Sequence, residues 1–189
     1  MKGILFNLLE AVVTGEFGED AWDDTIDAAG VNGAYTAIGN YGDAEFLALL
    51  GAMPTRGPSD PADQLRWFGR RAMPVLADRY AVFFTPHAST KAFLLTLNNI
   101  VHPEVRKLYP GADVPVFDFP RTGADGPDSV SMSYESARRL CWLAEGFVLG
   151  AADHYGETVE IAHSECMHDG ASRCLIRCTF SEADSERAL

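Results

Sequence analysis

Three groups of residues in this 189-residue chain have types and spacings that could do chemistry. The first is His102, which follows the apolar pair Ile100-Val101 and directly precedes Pro103. An imidazole is a ready ligand for a transition metal, and in a core it is equally well satisfied by a backbone carbonyl. The second is Tyr134-x-Ser136-x-Arg138, placed where an expected strand turns into a helix. Alternate residues of an extended segment face one side, so a phenol, a hydroxyl and a guanidinium converge. That set suits two carboxylates, with Arg supplying charge-assisted bonds and Tyr and Ser adding neutral donors. A helix-capping Ser136 beside a surface arginine is the plainer reading of the same residues. The third group is Cys141, His163, Cys166 and Cys174. Three thiolates and one imidazole form a common tetrahedral zinc set, and His163-x-x-Cys166 suits a tight knuckle. Free cysteines also serve simply as small buried hydrophobes. Cys178 falls outside the set, and His168 competes with His163 at a less favourable spacing.

The elements that must position these groups are mostly helical over the first two-thirds and mixed thereafter. Met1 to Val13 reads as a first helix ending near Thr14-Gly15, Asp20 to Ala29 as a second stopped by Gly30, and Asp43 to Ala52 as a third. Asp60-Pro61 opens a fourth, with Asp as cap and Pro at the first helical position, running to about Arg70. Pro74 is expected to break the chain before a helix ending near Tyr80. Ser89 or Thr90 caps a long helix, Lys91 to Tyr109, in which Phe93, Leu94, Leu97, Ile100, Val101, Val105 and Leu108 keep helical spacing. Pro103 removes a backbone donor there and is expected to kink it next to His102. Val114 to Phe119 alternates like a strand, and Ser129 to Tyr134 reads as its return across a Gly/Pro/Asp loop, Arg121 to Asp128. Arg138 to Tyr155 is a further helix. Thr158 to Ala162 and Arg173 to Phe180 are closing strands. The fold class is α+β.

Composition bounds the function. A formal net charge of -12, from 27 acidic against 15 basic residues, argues against nucleic acid or an anionic membrane as partner. The local group Arg66, Arg70, Arg71 could still serve an anionic ligand. Met1 to Val13 is interrupted by Asn7 and Glu10 and lacks a small-residue cleavage site, so it reads as a buried helix rather than a signal peptide. No stretch approaches the ~20 apolar residues of a membrane span. A cytoplasmic protein with reduced thiols or a metal site is the expectation.

Paired with a lone histidine on an apolar helix, the Tyr134-Ser136-Arg138 clasp suits a macrocycle carrying two propionates. Here the chain resembles the H-NOX (HNOB) family, haem nitric oxide/oxygen-binding proteins that include the sensor domain of soluble guanylate cyclase. The likeness runs through Met1-Lys2-Gly3-Ile4, Gly18-Glu19-Asp20-Ala21-Trp22, Trp67-Phe68-Gly69, His102-Pro103-Glu104-Val105, Tyr109-Pro110-Gly111, Pro115 and the clasp. It implies a bacterial stand-alone sensor with haem b, His102 on the iron, Tyr134, Ser136 and Arg138 on the propionates, and Pro115 pressing on and distorting the porphyrin. It also implies one domain over 1–181: a distal helical subdomain of about 1–60 packed on a proximal subdomain of about 61–181, which mixes helix with antiparallel sheet. Haem lies between them, and 182–189 is a polar tail. A subset of bacterial members has a zinc site with the residue set Cys141, His163, Cys166, Cys174, which implies one structural zinc.

Bound oxygen gains from a nearby hydrogen-bond donor, whereas nitric oxide and carbon monoxide need one much less. Oxygen-binding members of the family supply that donor from a tyrosine whose position here is Leu143, flanked by Trp142 and Phe147. Leu9 and Ala72 stand where those members carry a supporting Trp and Asn. The expected distal pocket, Ile4, Leu5, Leu9, Leu76, Leu143 and Phe147, is thus apolar, with Tyr80 and Trp67 the two residues able to donate from another wall. The resemblance implies a non-catalytic sensor for nitric oxide, with carbon monoxide also accommodated and oxygen excluded. Loss of the iron–His102 bond and relaxation of the haem would signal to a separate enzyme, a histidine kinase or a cyclic-di-GMP enzyme. The competing reading is a haem-free module, either a small-molecule binder like the vinyl-reductase-like domains, which Glu165 to Gly170 followed by Cys174 resembles, or a zinc/thiol redox sensor.

Overall fold

Helix α1 spans Gly3–Phe17, passing Gly15 and stopping at Gly18, whose φ of +103° only glycine adopts readily. The computed structural model to which it belongs describes residues 1–54, 60–120 and 125–183. The loops expected around 54–58 and 121–128 fall partly outside those residues. Helix α2 (Ala21–Ala29) ends as expected at Gly30, in the left-handed conformation, and α3 covers Asp43–Ala52. Helix α4 (Pro61–Arg79) starts where the sequence places it, with Asp60 Oδ1 accepting from the backbone N–H of Ala62 at 2.9 Å and of Asp63 at 3.3 Å.

The expected break at Pro74 does not occur, and α4 runs through it. Pro74 leaves the Arg70 carbonyl without its helical donor, and the neighbouring helix α7 (Cys141–His154) packs directly over that turn. A Cβ at Gly150 would lie 2.5 Å from the Arg70 carbonyl oxygen, and one at Gly146 2.3 Å from that of Arg66. Two glycines on α7 therefore let the backbones meet, and that packing supports an α4 that continues unbroken past its proline.

The long helix expected over Lys91 to Tyr109 is divided instead. Ser89 Oγ accepts from Ala92 N–H to open α5 (Thr90–Leu94), a π-helical turn follows over Leu97–Val101, and α6 (His102–Leu108) begins at the histidine itself. The Thr96 carbonyl accepts from both Ile100 (2.8 Å) and Val101 (3.2 Å). With no N–H on Pro103 the regular ladder cannot continue, and the wider π spacing absorbs the gap.

The sheet is antiparallel with strand order β1-β2-β4-β3, from β1 (Val116–Asp118), β2 (Ser129–Glu135), β3 (Glu157–Glu165) and β4 (Cys174–Glu182). Phe117 pairs with Tyr134 and Tyr134 with Cys174. The closing strands are longer than expected, and β4 takes in residue 182 of the expected tail; residues 184–189 lie outside the described ones. Helix α7 starts at Cys141 rather than Arg138, because Arg139 adopts φ +52° and the turn before it is tied by side chains.

Two apolar cores result. One, from α1, α3 and the first half of α4, buries Phe6, Leu9, Phe46, Leu49 and Phe68 completely, each worth roughly 1.5–3 kcal/mol of transfer energy. The other packs α7 and the end of α4 on the sheet around Met132, Ala151, Cys174 and Ile176. Between the two lies a cavity.

Candidate functional site

The cavity has a volume of about 310 Å³ and is walled by α1, α4, the α5–α6 segment, β1, β2 and α7. Every residue that α1 and α7 contribute to it is apolar: Ile4, Leu5 and Leu8 from α1, and Leu143, Ala144, Phe147 and Val148 from α7. Leu76 joins them from α4. Leu9, expected in this wall, is instead fully buried in the first core, and Leu8 takes the cavity position. Ala72 is likewise in the core rather than at the cavity.

His102 enters from the opposite side, at the first turn of α6, with its ring 5.7 Å from that of Phe117. Burial, aided by the Arg106 charge, pushes its pKa down to about 4, so the imidazole is neutral and keeps a lone pair to give. Its Nδ1 is buried without a hydrogen-bond partner among the described residues. Pro115 borders the same space.

Tyr134, Ser136 and Arg138 all reach the cavity rim. The Tyr134 hydroxyl accepts from Leu140 N–H at 3.0 Å, and Ser136 Oγ from Arg138 N–H at 3.2 Å. Burial raises the Tyr134 pKa, so its hydroxyl stays a neutral donor. Arg138 is held by Asp43 Oδ2 at 2.9 Å and by both the carbonyl and the carboxylate of Asp113, at 2.7 and 3.0 Å. Burial would raise the Asp43 carboxyl, but the N-terminal ammonium and Arg138 outweigh it and hold it low.

The residues fit a flat dicarboxylate macrocycle: an apolar slot, a neutral imidazole with an unpartnered nitrogen, and a donor cluster at the polar rim. Of the two other donors considered, Trp67 is not at the cavity and stacks on Phe17. The Tyr80 hydroxyl is hydrogen-bonded to that of Tyr109, just beyond α6. The Arg66, Arg70, Arg71 group is not a free cationic patch. Arg66 pairs with Asp63 and Glu145, Arg70 with both oxygens of Asp153, and Arg71 with Glu16.

The chain's cysteine and histidine cluster assembles outside this cavity. Ligand atoms of Cys141, His163, Cys166 and Cys174 all lie within 4.8 Å of one another. The Cys166 sulfur is 3.9 Å from that of Cys141 and 4.0 Å from that of Cys174. Zn–S bonds of about 2.3 Å place the sulfurs of a tetrahedral site about 3.8 Å apart, so the spacing already suits the ion. His163 Nε2 is buried without a partner among the described residues, while Nδ1 bonds Glu145 at 2.5 Å. His168 is excluded from the cluster: its Nε2 bonds the Arg139 carbonyl and its ring stacks on Trp142 at 4.0 Å.

Glu145 was not singled out from sequence. It is 3% exposed and accepts from Arg66 Nε at 2.5 Å as well as from His163. Burial would raise its pKa, yet His163 and Arg66 together lower it. The signal available was a lone carboxylate one helical turn after Cys141 in the apolar run of α7.

Residues 2–163 match the model of the haem-NO-binding family, HNOB. The chain belongs to this family. Its fold is that of H-NOX proteins, mixed helix with a four-stranded antiparallel sheet, and such domains are haem-binding gas sensors rather than enzymes. The structure is similar to that of an H-NOX protein from S. oneidensis in the Fe(II)NO state, with a TM-score of 0.85 and 27% identity over 96% of this chain and 100% of that one. The Shewanella oneidensis H-NOX domain in the Fe(II)CO state gives 0.84 at 27% identity, covering 96% and 99%. The unliganded Fe(II) H-NOX protein from K. algicida gives 0.80 at 26% identity, covering 99% and 100%. No curated protein matches the sequence. Among the described residues no helix is long and apolar enough to cross a membrane.

Proposed function

We propose that this H-NOX protein reports nitric oxide, at a ferrous haem b held in the cavity by His102, and that it does not retain oxygen. The haem supplies an iron that binds diatomic gases. Everything else is done by the chain. His102 offers a neutral nitrogen from the start of α6, where the π turn and Pro103 leave the backbone ladder interrupted. Tyr134, Ser136 and Arg138 would take carboxylates at the rim, and Pro115, which borders the cavity from the loop before β1, would press on the ring.

The observation that carries gas selectivity is the apolar wall from α1 and α7, which includes Leu143 and has no side-chain hydrogen-bond donor in it. Oxygen needs a donor there and nitric oxide does not. Tyr80 and Tyr109 lie outside that wall, and their hydroxyls bond each other. Carbon monoxide fits the same wall. Release of His102 would free α6, a short helix whose main packing partner is the π turn, and that movement would be the output to a separate effector, a histidine kinase or a cyclic-di-GMP enzyme.

We further propose one structural zinc on Cys141, His163, Cys166 and Cys174. The sulfur spacing supports it, as does His163, whose Nδ1 is engaged by Glu145, which leaves Nε2 as the nitrogen available to the ion. Cys178 is buried beyond the set, its thiol pushed up to about 12 by burial and by Glu145, and acts as core.

The test is absorption spectroscopy on the ferrous protein. The Soret band is expected to shift with nitric oxide and to stay unchanged when air is admitted. It should vanish in His102→Ala and return with added imidazole. A reversible change on admitting and removing air would sink oxygen exclusion, and a His102→Ala protein with an undisturbed spectrum would sink the ligand assignment.

A further inference from the structure

Lys2 is a charged residue at the cavity that neither the iron ligand nor the Tyr134-Ser136-Arg138 clasp involves. It is 9% exposed, yet it borders the cavity. Its ammonium donates to the Ile38 carbonyl at 3.1 Å and, among the described residues, pairs with no carboxylate. An ammonium has three N–H groups, so two remain for something else. In a chain of net charge -12, a buried lysine without an acid is unusual; buried charges are ordinarily paired.

Its position is fixed by the backbone. Lys2 bridges to Asn40, and Gly3 lies so close to the loop beyond α2 that a Cβ there would sit 1.9 Å from the Thr36 carbonyl oxygen. The Lys2 Nζ is 4.0 Å from where a Cβ on Gly111 would stand. Gly111 is two residues from Asp113, which holds Arg138. Lys2 and Arg138 thus flank one stretch of the cavity rim, the first uncompensated and the second already shared between two aspartates.

We propose that Lys2 is a second carboxylate-binding arm of the cavity, receiving the carboxylate that Arg138 does not hold. This rests on the haem reading, since haem b is a dicarboxylate guest. Division of labour follows from the charges: Arg138 exchanges partners with Asp43 and Asp113 on binding, while Lys2 gains its first acid.

The experiment measures transfer of the cofactor to excess apomyoglobin, for the parent, K2M and K2R, each loaded with haem or with haem dimethyl ester. K2M keeps the length of the side chain and removes the charge. Native haem is expected to leave K2M about tenfold faster than the parent, as for loss of one charge-assisted bond, and to leave K2R at close to the parent rate. The dimethyl ester should leave parent and K2M equally fast. Equal acceleration of both cofactors in K2M would mean a packing role and overturn the proposal, as would no acceleration of either. Should K2M not fold, the Lys2 15Nζ resonance of the parent decides: it must differ between the haem and ester forms. A parent that takes up no haem removes the underlying reading itself, and is seen before any variant is made.

Discussion

Gly146→Ala tests whether the contact between α4 and α7 is as close as it must be to carry the cavity wall. The added Cβ would stand 2.3 Å from the Arg66 carbonyl oxygen and 2.9 Å from Arg66 C and Cα. These are backbone atoms of a helix, so no side chain can rotate away and the helices must part. Overpacking of this kind costs about 1–3 kcal/mol, and rigid obstruction puts it at the upper end. Better helix propensity returns somewhat under ~1 kcal/mol. A net loss of about 2 kcal/mol corresponds to a Tm lower by about 4–8 °C for a chain of this size. Gly15→Ala is the matched control, because Gly15 is an exposed α1 residue with nothing within 4 Å of its Cβ position. There the same chemical change should raise Tm by about 1–4 °C. The assay is thermal unfolding followed by circular dichroism on both variants. Equal Tm shifts for the two would refute the claim that glycine is what brings α4 and α7 together. Since α7 also carries Cys141 and Leu143, the Gly146→Ala Soret band should shift even well below its Tm.

Further outcomes follow from the same geometry. Glu145→Gln should weaken zinc binding by about 10–100-fold, measured by chelator competition, because the His163 ring loses its charged anchor; unchanged affinity would show that Glu145 only packs. Cys174→Ser should abolish stoichiometric zinc while Cys178→Ala leaves it intact, and metal analysis of protein purified without chelators reads both. Asp43, with its pKa held below the ordinary carboxyl value, stabilises the haem-free protein above about pH 4 and loses that contribution as pH falls further. The gap in Tm between the parent and Asp43→Asn should therefore be constant near neutrality and close on acidification; a gap that widens instead would reverse the sign of the argument. Leu143→Tyr adds a donor to the apolar wall and should make the ferrous spectrum respond reversibly to air.

How much of this could be read from the chain depends on how local each signal is. The Asp60-Pro61 cap, the Gly30 stop and the pairing of Tyr134 with Ser136 and Arg138 are short-range facts, and the structure has them in place. The grouping of Cys141, His163, Cys166 and Cys174 was visible because cysteine and histidine are uncommon residues and stand here at a recognisable spacing. Pro74 and Pro103 look alike in sequence and behave differently. One is held inside a helix by glycines some 75 residues away, and the other turns its helix into a π turn. Nothing within a few residues of either proline carries that difference. Glu145 and Lys2 were missed for a similar reason: their importance is the depth at which they are buried, which tertiary packing alone decides.

Helix α4 has Leu65, Phe68 and Ala72 in one core and Met73 and Ala77 in the other. Neither core can melt without stripping one end of that helix, so the two are thermodynamically one unit. Unfolding should appear as a single calorimetric transition whose width matches its enthalpy, and partial digestion should not release a stable half. A fragment beginning at α4 would expose Phe68 to water and aggregate rather than fold. Anyone wishing to carry this cavity into another protein must therefore graft the whole of it.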